Sequence, residues 1–142
     1  MKGNDFVTRV LRSPLHALLG HAMLITVRGR KTGREISLPV NYYREGDTLW
    51  IISSRSRKWW RNIAPGSPVR LHLHGRDIQG MAELVLDRSA VAAQAAAYVR
   101  RSPLSARALG IRLEGGVPNV ADIQRVAGQH LFIAVCTRGV AA

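Results

Sequence analysis

Cysteine is nearly missing from this sequence: Cys136 stands alone. No disulfide can form within the chain, and one thiol fits a reducing compartment. Cys136 lies in an apolar run with Phe132, Ile133 and Val135, so it is expected to be a buried, inert side chain. Long apolar runs are missing too. No uncharged stretch reaches the roughly 18 residues a transmembrane helix needs. Asp5, Arg9 and Arg12 interrupt the N-terminus, which is not expected to act as a signal peptide. A cytoplasmic protein is expected, with peripheral contact between residues 5–19 and a membrane surface left open. The motifs GxSxG, HExxH and GxGxxG do not occur, and no catalytic residue can be assigned. His72 and His74 form an H-x-H pair without a third ligand or a CxxC, so no metal site is expected.

Acidic residues are also scarce, 9 against 21 basic ones, giving a formal net charge of +12. Only Lys2, Lys31 and Lys58 are lysines; the rest of the positive charge is arginine, whose planar fork suits phosphate and carboxylate. Such a surface attracts polyanions or an anionic small molecule. Genomic bias toward arginine would produce the same total, so the positions of the charges must decide.

The 142 residues suit one domain. Residues 1–20 read as a helical segment packing on that domain or extending from it: Phe6, Val10 and Leu11 share a helical face, and Ser13-Pro14 caps a second turn that stops at Gly20. Strands are predicted over residues 22–28, 35–43, 48–53, 69–74, 77–86 and 130–137. Pro39 marks an edge or a bulge in the second. In the fourth, Leu71 and Leu73 point inward while Arg70, His72 and His74 point outward. One or two helical turns are predicted at 57–63, a helix at 89–101 capped by Asp87 or Ser89, and a short helix from Ser102-Pro103 to Gly110. Residues 111–129 read as loop around Gly115, Gly116 and Pro118, with a helical turn at 121–127. Antiparallel hairpins with terminal helices imply an α+β fold, a closed or split barrel of six mostly antiparallel strands.

Two basic clusters carry the chemistry. Arg28-Gly29-Arg30-Lys31-Thr32-Gly33-Arg34 crowds like charges into one hairpin turn, a repulsion that a bound anion would relieve. Gly29 and Gly33 are expected to supply positive φ, and Thr32 a hydroxyl donor. The run Ser53-Ser54-Arg55-Ser56-Arg57-Lys58-Trp59-Trp60-Arg61-Asn62 places hydroxyls before four bases, with Trp59 and Trp60 able to wall a flat ring or anchor a core helix. The two clusters can act together only if the barrel brings them to one end.

At these two motifs the sequence resembles the deazaflavin-dependent nitroreductase/quinone reductase family of split-barrel oxidoreductases. The stretches that carry the resemblance are Leu24–Gly33, Leu38-Pro39-Val40, Leu49–Ser53, Lys58–Ile63 and Pro68–His74. Ser13-Pro14-Leu15-His16 and the closing strand fit the same layout. The resemblance covers roughly residues 12–88 and 130–137. It implies a split β-barrel of the FMN-binding, pyridoxamine-phosphate-oxidase-like kind. It also implies binding of reduced coenzyme F420, which carries a phosphate and a glutamate tail. Arg30, Lys31 and Thr32, with Arg34 in the same cluster, would hold the phosphate or tail, and Lys58 would add a contact. Pro39 and Val40 would line the ring, and Ser53 and Ser54 would meet its polar edge. Trp59, Trp60 and Asn62 match the helix after the cofactor loop. The reaction implied is hydride transfer to a quinone, nitroaromatic or activated enone. Two departures stand out: the loop before Lys58 is short, and residues 111–130 contain no tyrosine, so no proton donor is carried over.

Three other readings remain at this stage. The chain could bind FMN in place of the deazaflavin, or carry its cofactor without turnover. A basic domain that tracks nucleic acid phosphates while Trp59 stacks a base is the third, and no recognition motif supports it. The expected partners are an anionic cofactor and a small hydrophobic electron acceptor, with the protein a monomer or a homodimer.

Overall fold

The computed structural model describes residues 22–137. The helical segment expected at residues 1–20 lies outside them. Strands β1 (Ala22–Arg28), β2 (Glu35–Glu45), β3 (Thr48–Ser54), β4 (Ser67–Leu73), β5 (Arg76–Val85) and β8 (His130–Cys136) close a barrel in the order β1-β2-β3-β8-β5-β4. All of its pairings are antiparallel. The six-stranded α+β expectation is met, with strand ends moved by a residue or two.

Period-two alternation builds the interior. Ile25 of β1, Ile51 of β3, Leu71 of β4 and Leu131, Ile133 and Val135 of β8 are fully buried, together with Leu49 and Met23. The barrel interior is therefore packed with side chains. Gly80 on β5 permits its closure: a Cβ there would overlap Val135 Cγ1 and sit 3.2 Å from the Cys136 carbonyl oxygen.

A second core covers one outer face. Helix α1 (Arg88–Arg101) starts at Asp87, whose carboxylate accepts from the Ala90 N–H, and α2 (Pro103–Leu109) starts at Ser102 and ends at Gly110 in the left-handed conformation. Residues 111–129, expected to be mostly loop, hold the two-residue strands β6 (Leu113–Glu114) and β7 (Val117–Pro118) and helix α3 (Val120–Gln129), capped by Asn119. Ile123, Val126 and Ala127 of α3 pack with Val91, Ala95 and Val99 of α1 over Phe132, Ile52 and Trp50. Among the described residues no helix is long and apolar enough to cross a membrane.

Two sequence expectations fail here. Cys136 is exposed rather than buried, because it falls at the outward-facing end of β8, past the helices that cover Phe132. His72 and His74 do not lie on one strand face. His72 Nδ1 pairs with Asp77 at 2.7 Å, while His74 leaves the strand at φ 50° in the turn before Gly75 and its Nε2 lies 3.3 Å from the Tyr42 hydroxyl.

The barrel is split along one seam. β2 pairs with β3 only from Tyr42 to Glu45, against Ile51 to Thr48. Residues 35–41 of β2 continue on β1 alone, and Ile52–Ser54 on β8 alone. Pro39 lies on that one-sided stretch, where a missing N–H is tolerated.

Candidate functional site

Antiparallel pairing places the start of β2 and the end of β3 at the same end of the barrel. The two basic clusters consequently meet. The β1–β2 turn and the 3-10 helix Trp59–Asn62 line a cleft of about 340 Å³ formed by Gly29, Arg30, Lys31, Thr32, Ile36, Lys58, Arg61 and Asn62. The bond that joins its walls runs from the Arg30 backbone N–H to the Asn62 side-chain oxygen, 3.0 Å. Asn62 in turn donates from Nδ2 to the Trp59 carbonyl at 2.9 Å, which fixes its amide.

The turn is stiff. Gly29 N–H donates to the Arg34 carbonyl and Gly33 N–H to the Gly29 carbonyl, at 2.7 and 2.8 Å. Gly33 sits at φ 71°, as expected. Gly29 does not use positive φ; a Cβ there would press on Thr32 Oγ1 at 3.1 Å and on the Arg34 carbonyl at 3.3 Å, so its role is space. Thr32 Oγ1 accepts from the Arg34 N–H at 3.2 Å, leaving the hydroxyl proton for another acceptor.

Three arginines outside the cleft are held by carboxylates. Arg70, Arg101 and Arg112 pair with Glu35, Glu45 and Asp122 at 2.8–2.9 Å. Among the described residues no ion pair involves Arg30, Lys31, Lys58 or Arg61. Four cations converging on one cleft without a carboxylate concentrate positive charge there, which suits an anion.

The remaining expected residues fall on the seam or behind it. Pro39 and Val40 lie on the β2 lip, Ser53 and Ser54 on the β3 lip. Ser53 is buried and its Oγ accepts from the Trp59 indole N–H at 3.2 Å. Trp59 is thus a barrel-core anchor that seats the 3-10 helix, not a wall of the cleft. Trp60 is partly buried against the same core and carries the Arg61 guanidinium 5.4 Å above its ring. Arg34 does not line the cleft. Sequence reading passed over Arg61 and Ile36. Arg61 carried a signal, being the last base of the second cluster; Ile36 carried none.

Next to Ser54 in the β3–β8 register is His130, half-buried, with Nδ1 3.2 Å from the Val126 carbonyl. Burial holds its pKa below the ordinary histidine value, the carbonyl opposes that, and Arg125 and Arg55 add to it. Behind the seam, burial pushes the Tyr43 hydroxyl up to about 12 despite the hydrogen bond from Gln94.

The sequence matches the family model F420H(2)-dependent quinone reductase over residues 9–113, well over half of the chain. Among curated proteins none matches. Solved structures share the fold. A conserved hypothetical protein of Mycobacterium tuberculosis superposes with TM-score 0.58 at 11% identity, covering 97% of this chain and 81% of that one. An FAD and heme binding protein of Mycobacterium smegmatis gives 0.55 at 18%, covering 89% and 66%, and a flavocytochrome of Azotobacter vinelandii 0.54 at 16%, covering 90% and 66%. The chain spans about two thirds of the length of the latter two.

Proposed function

The chain belongs to the F420H(2)-dependent quinone reductase family, and from that premise we propose that it reduces a quinone-class acceptor with an anionic deazaflavin held between the cleft and the seam. The observation that carries the proposal is the convergence of Arg30, Lys31, Lys58 and Arg61 on one cleft with no acidic partner. Each charge-assisted hydrogen bond to a phosphate or carboxylate would contribute roughly 1.5–3 kcal/mol, so a few suffice for micromolar affinity.

The residues present fit such a group. The barrel interior is filled, so a flat ring would lie outside the core, and the seam is the place we assign it. There Pro39 and Val40 offer an apolar lip, and the other lip ends in the hydroxyl of Ser54 and the backbone of Ser53. Ser53 Oγ, already engaged by Trp59, acts by seating that indole. The four cations and the Thr32 hydroxyl would hold the anionic tail. When bound, the reduced deazaflavin supplies the hydride. The protein contributes position and electrostatics: a hydrogen-bonded turn, a 3-10 helix pinned by Trp59, and a cluster of cations. Nitroaromatics and activated enones are further acceptors of the same chemistry.

The test is a side-by-side titration of the purified protein with coenzyme F420 and with FMN at moderate salt, following tryptophan fluorescence, then turnover of a quinone with the reduced cofactor. Saturable one-to-one binding of F420 with quinone turnover is expected. Preference for FMN would replace the cofactor. Binding of F420 without turnover would make the protein a carrier. Binding of neither, with salt-sensitive binding of single-stranded nucleic acid, would overturn the proposal.

A further inference from the structure

The four bases that follow β3 do not act alike. Lys58 and Arg61 line the cleft. Arg55 turns the other way. Its Nη2 donates to the Leu86 carbonyl at 2.7 Å and to the Ala127 carbonyl at 3.1 Å, and its Nε reaches the same Ala127 oxygen at 3.3 Å. Its backbone N–H donates to the Gln129 carbonyl at 2.9 Å. One residue therefore ties the segment that delivers Lys58 to two other places, the chain just after β5 and the last turn of α3. That last turn presents carbonyls without helical partners and a negative dipole end, which a guanidinium satisfies.

Further hydrogen bonds along this segment are local: Ser54 Oγ to Ser56 Oγ at 2.8 Å, Arg57 N–H to the Ser54 carbonyl at 3.2 Å, Arg61 N–H to the Lys58 carbonyl at 3.1 Å. Past Lys58, Trp59 plugs into the core and Asn62 meets Arg30. Lys58 thus sits between two anchors, Arg55 on the helical side and Trp59 on the barrel side. We infer that Arg55 is a positioning residue for the cleft: its fork on Ala127 and Leu86 holds the loop so that Lys58 faces the anion, and it makes no anion contact itself. This rests on the cofactor reading above. It also ties the placement of a cleft cation to the packing of α3, an element remote from the cleft in sequence.

Arg55→Lys separates the two roles a base could have here, because it keeps the charge and loses the planar fork. Arg88 provides the control. Its Nη2 donates to the Gln124 carbonyl of the same helix at 3.4 Å, and among the described residues no hydrogen bond joins its side chain to residues 55–62. The experiment measures oxidised F420 affinity by titration, KM and kcat with the reduced cofactor, and amide hydrogen exchange of the peptide spanning residues 55–62 without ligand. Arg55→Lys and Arg55→Ala are each expected to weaken F420 binding and raise KM about tenfold, with kcat at saturation little changed, and to speed exchange of that peptide. Arg88→Ala is expected to change none of these, even where it lowers the thermal midpoint. Wild-type affinity in Arg55→Lys with loss only in Arg55→Ala would overturn the inference in favour of a direct charge contact. Unchanged exchange, or the same effects from Arg88→Ala, would overturn it as well. If Arg55→Ala does not fold, Arg55→Lys decides. Failure of the wild-type protein to bind F420 would instead sink the cofactor reading, while the exchange comparison, which needs no ligand, still judges Arg55.

Discussion

The Arg30 backbone N–H donates to the Asn62 side-chain oxygen across 32 positions of sequence, and this bond joins the two walls of the cleft. Asn62→Ala removes it together with the bond to the Trp59 carbonyl. Loss of F420 affinity by about tenfold is expected, since an ordinary hydrogen bond is worth about 1 kcal/mol net and two are lost. The titration of this variant, with its thermal midpoint as a check on folding, measures the effect. Undiminished affinity would mean the turn holds its position unaided.

Lys31→Ala and Lys58→Ala should each weaken cofactor binding about tenfold or more while leaving the domain folded. The deficit should shrink as salt rises, because screening removes from the wild type what the variants have already lost. Titration at two ionic strengths checks both points. A deficit that is independent of salt would locate the anion elsewhere.

Gly80→Ala is expected to destabilise the protein by about 1–3 kcal/mol through overpacking against Val135. Denaturant midpoints report it. Adding Val135→Ala removes the methyl that the new Cβ meets, so the double variant should be less destabilised than the sum of the singles. Additivity would assign the cost of Gly80→Ala to the Cys136 carbonyl instead.

His130 supplies a pH dependence. Its folded pKa lies below the ordinary histidine value of 6.5, so the unfolded chain takes up the proton more readily. Its stability contribution is intact above pH 6.5 and is lost as the pH falls from there toward the folded pKa. Unfolding curves at pH 7.5 and 5.5 should show a smaller drop for His130→Gln than for the wild-type protein. Equal drops would mean that other groups carry the dependence.

Cys136, exposed at the end of β8, should react with a thiol reagent in the native protein at nearly the rate seen in denaturant. Protection in the native state would return it to the core that its apolar neighbours suggested.

Much of the fold was legible because its signals are local. Alternation over Val69–Leu73 sets which side chains face inward within one strand, and Asp87, Ser102 and Gly110 end or begin helices through bonds a few residues long. Residues 111–129 were less legible: two glycines and a proline masked a helix whose apolar face, Ile123, Val126 and Ala127, has meaning only against α1.

The sequence by itself determined six strands, their turns and two concentrations of positive charge, because backbone sterics, capping and periodicity act over a few neighbouring residues. Only the tertiary structure decided what those charges do. Closing the barrel set the Arg30 turn against Asn62, drew Trp59 inside, and left Cys136 outside. Packing of α3 turned Arg55 away from the cleft that Arg61 lines. Neighbouring bases in one run look alike in sequence; the carbonyls, ring or open cleft that each one faces are supplied by chain many residues away.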